Sequence, residues 1–159
     1  MISQLAFVYC SSLQSISIPS SVKSIGEDAF AECTGLQSAT ILSKIQRIEN
    51  ETFAGCSSLK SFIIPSSVTY LGVSAFYFDS LLTTISIPSS ITKIDGNVFS
   101  YCTGLRSLYI NNVTPIVLDN NYTDFNGITT SCILYVPKGT KAAYQAAPGW
   151  NAFIRIEEQ

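Results

Sequence analysis

Apolar residues recur along this chain every 23 positions. Phe7, Phe30, Phe53, Phe76 and Phe99 form one column. Leu13, Leu36, Leu59, Leu82 and Leu105 form a second, and Ile18, Ile41, Ile64, Ile87 and Ile110 a third. Val22, Ile45, Val68 and Ile91 lead to Ile25, Ile48, Leu71 and Ile94 in the same register. Each unit has an apolar edge that it cannot bury alone, so the pattern predicts stacked coils with like side chains on top of one another. Within a unit, Ile16 and Ile18 alternate with polar residues, as a strand with one buried face should.

The rest of the unit follows from turn chemistry. Pro19, Pro65 and Pro88 end the strand, because proline cannot donate to a ladder, and Ser-Ser pairs follow as turn residues. A second extended piece, Val22 to Ile25, brings the chain back inward, and Gly26 and Gly72 mark the next bend. Asp28, Glu51, Ser74 and Asn97 then precede a short helical turn that carries the core phenylalanine. Three of these four are favoured N-cap types, so the column is expected to cap. The spacing Leu13-x-x-Ile16-x-Ile18 is the L-x-x-L-x-L signature of leucine-rich repeats, and the period lies within their range. The expected fold is a leucine-rich-repeat solenoid of the α/β class, with about five to six coils of that period. Most of it should be short parallel β-strands, with short helical or 3-10 turns.

The ends depart from the pattern. Ile2 stands one full period before Ile25, so the chain starts inside a coil with no polar cap. That uncapped first coil, with Ile2 and Leu5, is expected to self-associate or fray. The repeats occupy 1–111, and 112–159 is read as an irregular last coil and C-terminal cap of the same structural unit. Residues 112–132 read as an irregular insertion. Phe125 and Leu134-Tyr135-Val136-Pro137 then suggest a sixth coil. Thr140 is expected to cap a helix over 141–147, stopped by Pro148-Gly149. Trp150 and Phe153 are expected to cover the open end.

Composition narrows the chemistry. The 159 residues include no histidine, which removes Ser-His-Asp and Cys-His catalysis and every imidazole metal site. Net charge is −2 and the nine Lys and Arg are scattered, which argues against nucleic acid. No apolar run approaches the ~20 residues of a membrane span. The N-terminus lacks the basic and apolar segments of a secretory signal, so a signal peptide is read as absent. Cys10, Cys33, Cys56 and Cys102 form a column with Asp79 at the vacant place, and no close cysteine pairs suggest a metal. Five free thiols are expected, with Cys132 the most accessible. Glu27, Asp28, Glu32, Glu49 and Glu51 could gather on one edge, either as a weak calcium or acid–base site or as capping groups on a solvated edge. No catalytic residue, metal or cofactor is expected.

Two surfaces remain as binding candidates. The outward residues of the strands are Gln14, Ser15, Ser17; Gln37, Ser38, Thr40; Lys60, Ser61, Ile63; Thr83, Thr84, Ser86; and Arg106, Ser107, Tyr109. They should line a concave, mostly hydroxylated face. Tyr70, Tyr77, Phe78 and Tyr101 lie outside the invariant columns and read either as an aromatic edge for a partner or as packing around the altered fourth coil. Asn50-Glu51-Thr52, Asn112-Val113-Thr114 and Asn121-Tyr122-Thr123 fit the N-glycosylation pattern.

The run from Cys10 through Leu13, Ile16, Ile18-Pro19, Val22 and Ile25-Gly26 to Ala29-Phe30 resembles the BspA-like, or Treponema pallidum type, leucine-rich repeats. The likeness covers roughly residues 2–111. The tail from Leu134 to Ala147, with Trp150 to Phe153, looks like a C-terminal cap common in such proteins from Bacteroidetes. The resemblance implies a right-handed solenoid in a secreted or cell-surface protein without enzyme activity. It also implies a binding or adhesion role towards a protein or glycan. The alternative is a passive spacer segment of a longer surface protein.

Overall fold

A computed structural model describes residues 1–118 and 125–159. In chain order the strands are β1 (Ser15–Ile18), β2 (Ser38–Ile41), β3 (Arg47–Ile48), β4 (Ser61–Ile63), β5 (Tyr70–Leu71), β6 (Thr84–Ile87), β7 (Lys93–Ile94), β8 (Ser107–Ile110), β9 (Ile133–Val136) and β10 (Arg155–Glu158). They form two parallel sheets. The long one runs β1-β2-β4-β6-β8-β9-β10 and the short one β3-β5-β7. Register preserves the period: Ser15 pairs with Ser38, Ser61 with Thr84, and Arg47 with Tyr70, each pair one repeat apart. The last repeat coil is longer, since Leu108 pairs with Leu134, beyond the position one period on. The chain is thus a parallel-strand solenoid of about six turns with little helix.

The core is a set of columns parallel to the coil axis. Phe7, Phe30, Phe53, Phe76 and Phe99 stack in order, with centroids 5.1, 5.3, 5.7 and 5.6 Å apart. Phe62 packs against both Phe53 and Phe76 from the strand side. The buried thiols form a parallel column. Cys33, Cys56 and Cys102 each donate to the carbonyl of the phenylalanine one coil back, Phe7, Phe30 and Phe76, at 3.1, 3.3 and 3.0 Å. This explains a small, weakly donating residue at that place.

The turn arcs differ from expectation. Asp28, Glu51, Ser74 and Asn97 do not cap helices. All four have left-handed backbones, with φ of 53, 53, 56 and 63°. Tyr9, Glu32, Gly55, Phe78 and Tyr101 form a second left-handed column. An N-cap residue keeps an extended backbone. Here the N–H groups of Asp28, Phe30 and Glu32 are taken by Asn50, Thr52 and Ala54 carbonyls of the next coil, which leaves no helix end to satisfy. Ala31 and Cys33 close i→i−3 turns in between. Gly26 and Gly72 carry no side chain because a Cβ would run into the main chain of Gln4 and Asn50 on the preceding coil.

The C-terminal end also departs from expectation. Residues 125–132 are not irregular. Phe125 and Ile128 repeat the turn of Phe99 and Cys102, with the Ile128 N–H on the Phe125 carbonyl. The helix α1 (Lys141–Ala146) is not capped by Thr140, whose hydroxyl donates to the Pro137 carbonyl at 2.6 Å. Glu158 accepts from the Lys141 N–H instead at 3.3 Å, and main-chain donors at Gly139 and Lys141 hold its carboxyl below the usual range. Trp150 and Phe153 are buried against Phe125, and the Trp150 Nε1–H donates to the Ile116 carbonyl at 2.8 Å. β10 adds a seventh strand, and its Arg155, Glu157 and Glu158 place charge on a sheet edge. Among the described residues no helix is long and apolar enough to cross a membrane.

Candidate functional site

The outward positions of the long sheet form three rungs per coil. Ser15, Ser38, Ser61, Thr84 and Ser107 stand side by side in strict register. Gln14, Gln37, Lys60, Thr83 and Arg106 lie just before the strands, joined by main-chain bonds from each residue to its counterpart one coil back. Arg106 folds its guanidinium onto the Thr103 and Leu105 carbonyls at 2.9 and 3.1 Å. The third rung holds Ser17, Thr40, Ile63, Ser86 and Tyr109. All these side chains are exposed or half-buried, as strand alternation requires.

The third rung carries the apolar groups. Ile63 is 84% exposed, and Tyr109 stacks on Tyr135 of β9 with centroids 4.6 Å apart. Tyr135 and its neighbour Ile133 extend this face beyond the residues read from the repeats, although Leu134-Tyr135-Val136 had the strand pattern to reveal them. Beside Ile63 the ladder between β2 and β4 stops after two pairs, Ser38–Ser61 and Ala39–Phe62. A shallow cleft of about 220 Å³ opens there, lined by Ser38, Thr40, Ile41, Ser61, Ile63 and Pro65. The second unit lacks the proline of its neighbours and has Leu42-Ser43 there. Leu42 is exposed, while Ser43 is buried with a hydroxyl that has no hydrogen-bond partner among the described residues.

The aromatic group is two groups. Tyr70 sits in the short sheet, in register between Arg47 and Lys93. The Arg47 guanidinium lies 3.6 Å from its ring centroid and is held by Glu49 at 2.8 and 3.2 Å. The Tyr70 hydroxyl donates to Asp95, which also pairs with Lys93 at 2.8 Å. Burial first, then the bond to Asp95, pushes the Tyr70 phenol up to about 12. Burial would raise the Asp95 carboxyl, but the bonds from Lys93 and Tyr70 outweigh it and hold the group below its ordinary value. Every charge in this cluster is therefore paired.

Tyr77, Phe78 and Tyr101 form the other group, on the turn arcs. Phe78 and Tyr101 stack at 5.0 Å with planes 16° apart, and Tyr77 meets both edge-on at 4.8 and 5.6 Å. Phe78 and Tyr101 are substantially exposed and hold φ of 64 and 61°, which bulky residues rarely adopt.

Cys132 is buried, not accessible; it stands directly before β9, and burial pushes its thiol up to about 12. Cys10 is the exposed thiol and all five are free. Asp79 is fully buried between Cys56 and Cys102, and neither carboxyl oxygen has a well-formed hydrogen bond. Burial pushes its carboxyl far above the ordinary range, against a smaller opposing effect of the Cys56 main chain; the Glu32 charge adds to the rise. Glu51 is raised by burial and by the Asp28 and Glu27 charges, so those three do share an edge. Among the described residues no group of three His, Cys, Asp or Glu is placed to hold a metal ion. The Asn50 amide is engaged by Glu27 and the Val73 N–H, and Asn112 donates to the Ile91 carbonyl, so neither is a free glycosylation acceptor. Asn121 lies outside the described residues.

Residues 1–127 match, in six copies, the family described as BspA type leucine rich repeat region. This chain belongs to that family. Among solved structures it is similar to a leucine-rich cell surface protein from Faecalibacterium prausnitzii, at 42% identity over 69% of this chain, with a TM-score of 0.66. It spans 29% of the length of that protein. The leucine-rich repeat protein of T. pallidum shares the fold at 23% identity and a TM-score of 0.68, over 92% of this chain and 76% of its own. No curated protein matches the sequence.

Proposed function

We propose that this BspA-type chain is a non-catalytic binding module of the bacterial cell surface. It would present its long-sheet face to a protein or glycan. The observation that carries this reading is the third rung, where the exposed Ile63 and the half-buried, stacked Tyr109–Tyr135 pair lie on a hydroxylated face. A face whose only task is to stay soluble gains nothing from them, whereas aromatic and aliphatic groups that a partner can cover are what binding surfaces use. The cleft beside Ile63 adds a concave place for a side chain or sugar edge. The description of the Faecalibacterium relative as a cell surface protein supports the location. The test is an array of glycans and extracellular matrix proteins probed with the native chain and with an Ile63→Ser, Tyr109→Ser, Tyr135→Ser variant. A partner bound by the native chain and lost by at least tenfold in the variant is the expected result.

A second reading, a spacer segment of a longer surface protein, is favoured by the unbroken hydroxyl rung Ser15–Ser38–Ser61–Thr84–Ser107. A blank array, or equal binding by the variant, would leave this one standing.

A further inference from the structure

The long-sheet side of the repeats carries no acid. Residues 11–22, 34–44, 57–67, 80–90 and 103–111, which form its first five strands and their flanks, hold no Asp or Glu, but they include Lys44, Lys60 and Arg106. Among the described residues none of these three makes an ion pair. Arg106 is folded onto the carbonyls of its own loop, whereas Lys60 is exposed directly before β4.

The same strand borders the cleft. The Leu42 N–H ties the end of β2 back to β1, donating to the Ile18 carbonyl at 2.9 Å, and the Asn111 N–H does the same for Ile87 at 3.1 Å. In the third coil that place is Pro65, which has no N–H to give to Ile41. The ends of β2 and β4 part after Ala39–Phe62. Ile41 is left half-exposed, where Ile18, Ile64, Ile87 and Ile110 of its column are buried. Ala39 also lines the cleft, in a column that otherwise holds the larger Ile16, Phe62, Ile85 and Leu108. Ile41, Ile63 and Pro65 supply apolar walls, and Ser38, Thr40 and Ser61 supply hydroxyls.

These walls suit a hydrocarbon side chain better than a sugar. At about 220 Å³ the cleft is smaller than the ~300–1,000 Å³ of a small-molecule pocket and has the scale of one or two side chains. An aliphatic residue seated there covers Ile63, which is otherwise bare to water, and gains the free energy of apolar burial. A sugar is mostly hydroxyl and takes its apolar contact from open aromatic faces. None of the residues lining the cleft is aromatic, and Tyr109 and Tyr135 each spend one ring face on the other.

We propose that this face docks an acidic segment of a partner protein, with an aliphatic side chain in the cleft beside Ile63 and a carboxylate on the ammonium of Lys60. Charge complementarity selects the occupant: a surface with unpaired cations and no acids repels basic partners and steers acidic ones towards it. The cleft then fixes the position, because it takes a side chain and not a flat surface. This inference rests on the reading of the chain as a binding module, and it narrows the partner from a protein or glycan to an acidic, aliphatic peptide segment.

The probe is a random dodecapeptide library displayed on phage and selected on the full chain. The most enriched peptide is then synthesised and titrated by fluorescence anisotropy. Selected sequences should combine Asp or Glu with Leu, Ile, Val or Met. Ile63→Ser should weaken the peptide about tenfold and Lys60→Glu about fivefold, and added salt should weaken it further. Both side chains are exposed, so neither change touches the core, and a melting curve checks each fold. Lys23→Glu makes the same charge change beside Arg47 and Glu49 of the short-sheet side and should leave binding unchanged. Enriched peptides that are basic or lack an aliphatic residue overturn the proposal, as does a loss with Lys23→Glu equal to that with Lys60→Glu. No enrichment, together with a glycan that binds the native chain and is lost with Ile63→Ser, overturns it and leaves the binding-module reading intact. No enrichment and no glycan overturns both and returns the chain to the spacer reading.

Discussion

Phe30 and Phe53 belong to successive coils, a full period apart in sequence, yet their rings stack at 5.3 Å with planes within 5°. The spacing is little more than that between neighbouring strands, so each ring is carried by its own coil and set on the next. Phe53 also touches Phe62 and Phe76 and is fully buried, whereas Phe7 ends the column half-buried. Phe53→Ala should therefore cost about 3–5 kcal/mol and Phe7→Ala clearly less. Urea denaturation of the two variants, followed by circular dichroism, makes the comparison. Equal losses would mean that the coils do not share one core.

Asp79 interrupts a column built for thiols. A Cys there could donate to the Phe53 carbonyl as its neighbours do to Phe7, Phe30 and Phe76. The carboxyl is buried without a good partner, and burial raises its folded-state pKa well above that of an unfolded aspartate. The sign follows. Below about pH 4 both states hold the proton and nothing is lost. Above it the unfolded chain releases a proton that the native state keeps, so stability falls as pH rises towards the folded-state value. Asp79→Cys should differ least from the native chain at pH 4, and its advantage should grow by about 1–3 kcal/mol by pH 7. Denaturation midpoints at the two pH values decide it, and a constant difference would contradict the account.

Most of the fold was legible in the sequence because its signal is repeated. A strand of one coil is weak evidence alone, but five copies in one register make the long sheet and the outward rungs readable down to single positions. What failed was what a one-dimensional pattern does not encode. Asp28 and Asn97 are good N-cap residues and also residues that tolerate a left-handed backbone, and composition alone could not choose between those uses. Tyr70 and Tyr77 both lie outside the invariant columns of neighbouring coils, but the chain passes from the short sheet to the turn arc between them. Cys132 carries no sign of its burial in the sequence, because the last coil is longer than the others and leaves the register that marks the other thiols as buried. β10 has no counterpart in the repeat pattern, since it follows the covering residues Trp150 and Phe153 at the chain's end.

Thiol accessibility gives a direct check on the last coil. Cys10 is exposed, while burial raises the thiols of Cys33, Cys56, Cys102 and Cys132. Only thiolates react quickly with a maleimide or a disulfide reagent. The native chain should take up one equivalent rapidly, and five after unfolding in guanidinium. Mass spectrometry should place the first label on Cys10. Rapid labelling of Cys132 would put the sixth coil in a different register.

The left-handed column can be tested apart from charge at Glu51. Its φ is 53°, and partial desolvation together with the Asp28 and Glu27 charges raises its carboxyl above the ordinary value. Replacing Glu51 with either Asn or Val removes the same charge. Asn visits the left-handed region readily, and Asn97 already does so in this column. Val is β-branched and is a strong outlier there. Glu51→Asn should stabilise the chain by about 0.5–1 kcal/mol and Glu51→Val should destabilise it by about 1–2 kcal/mol. Part of the Asn gain comes from removing a carboxylate that the native state disfavours. That part should vanish below about pH 4, where the unfolded chain holds the proton too. The Val penalty belongs to the backbone and should persist at every pH. Thermal unfolding of both variants at pH 7 and pH 3.5 separates the two contributions. If Val and Asn behave alike, the turn is free to relax out of the left-handed region, and the columns of the arc are not held by their backbone.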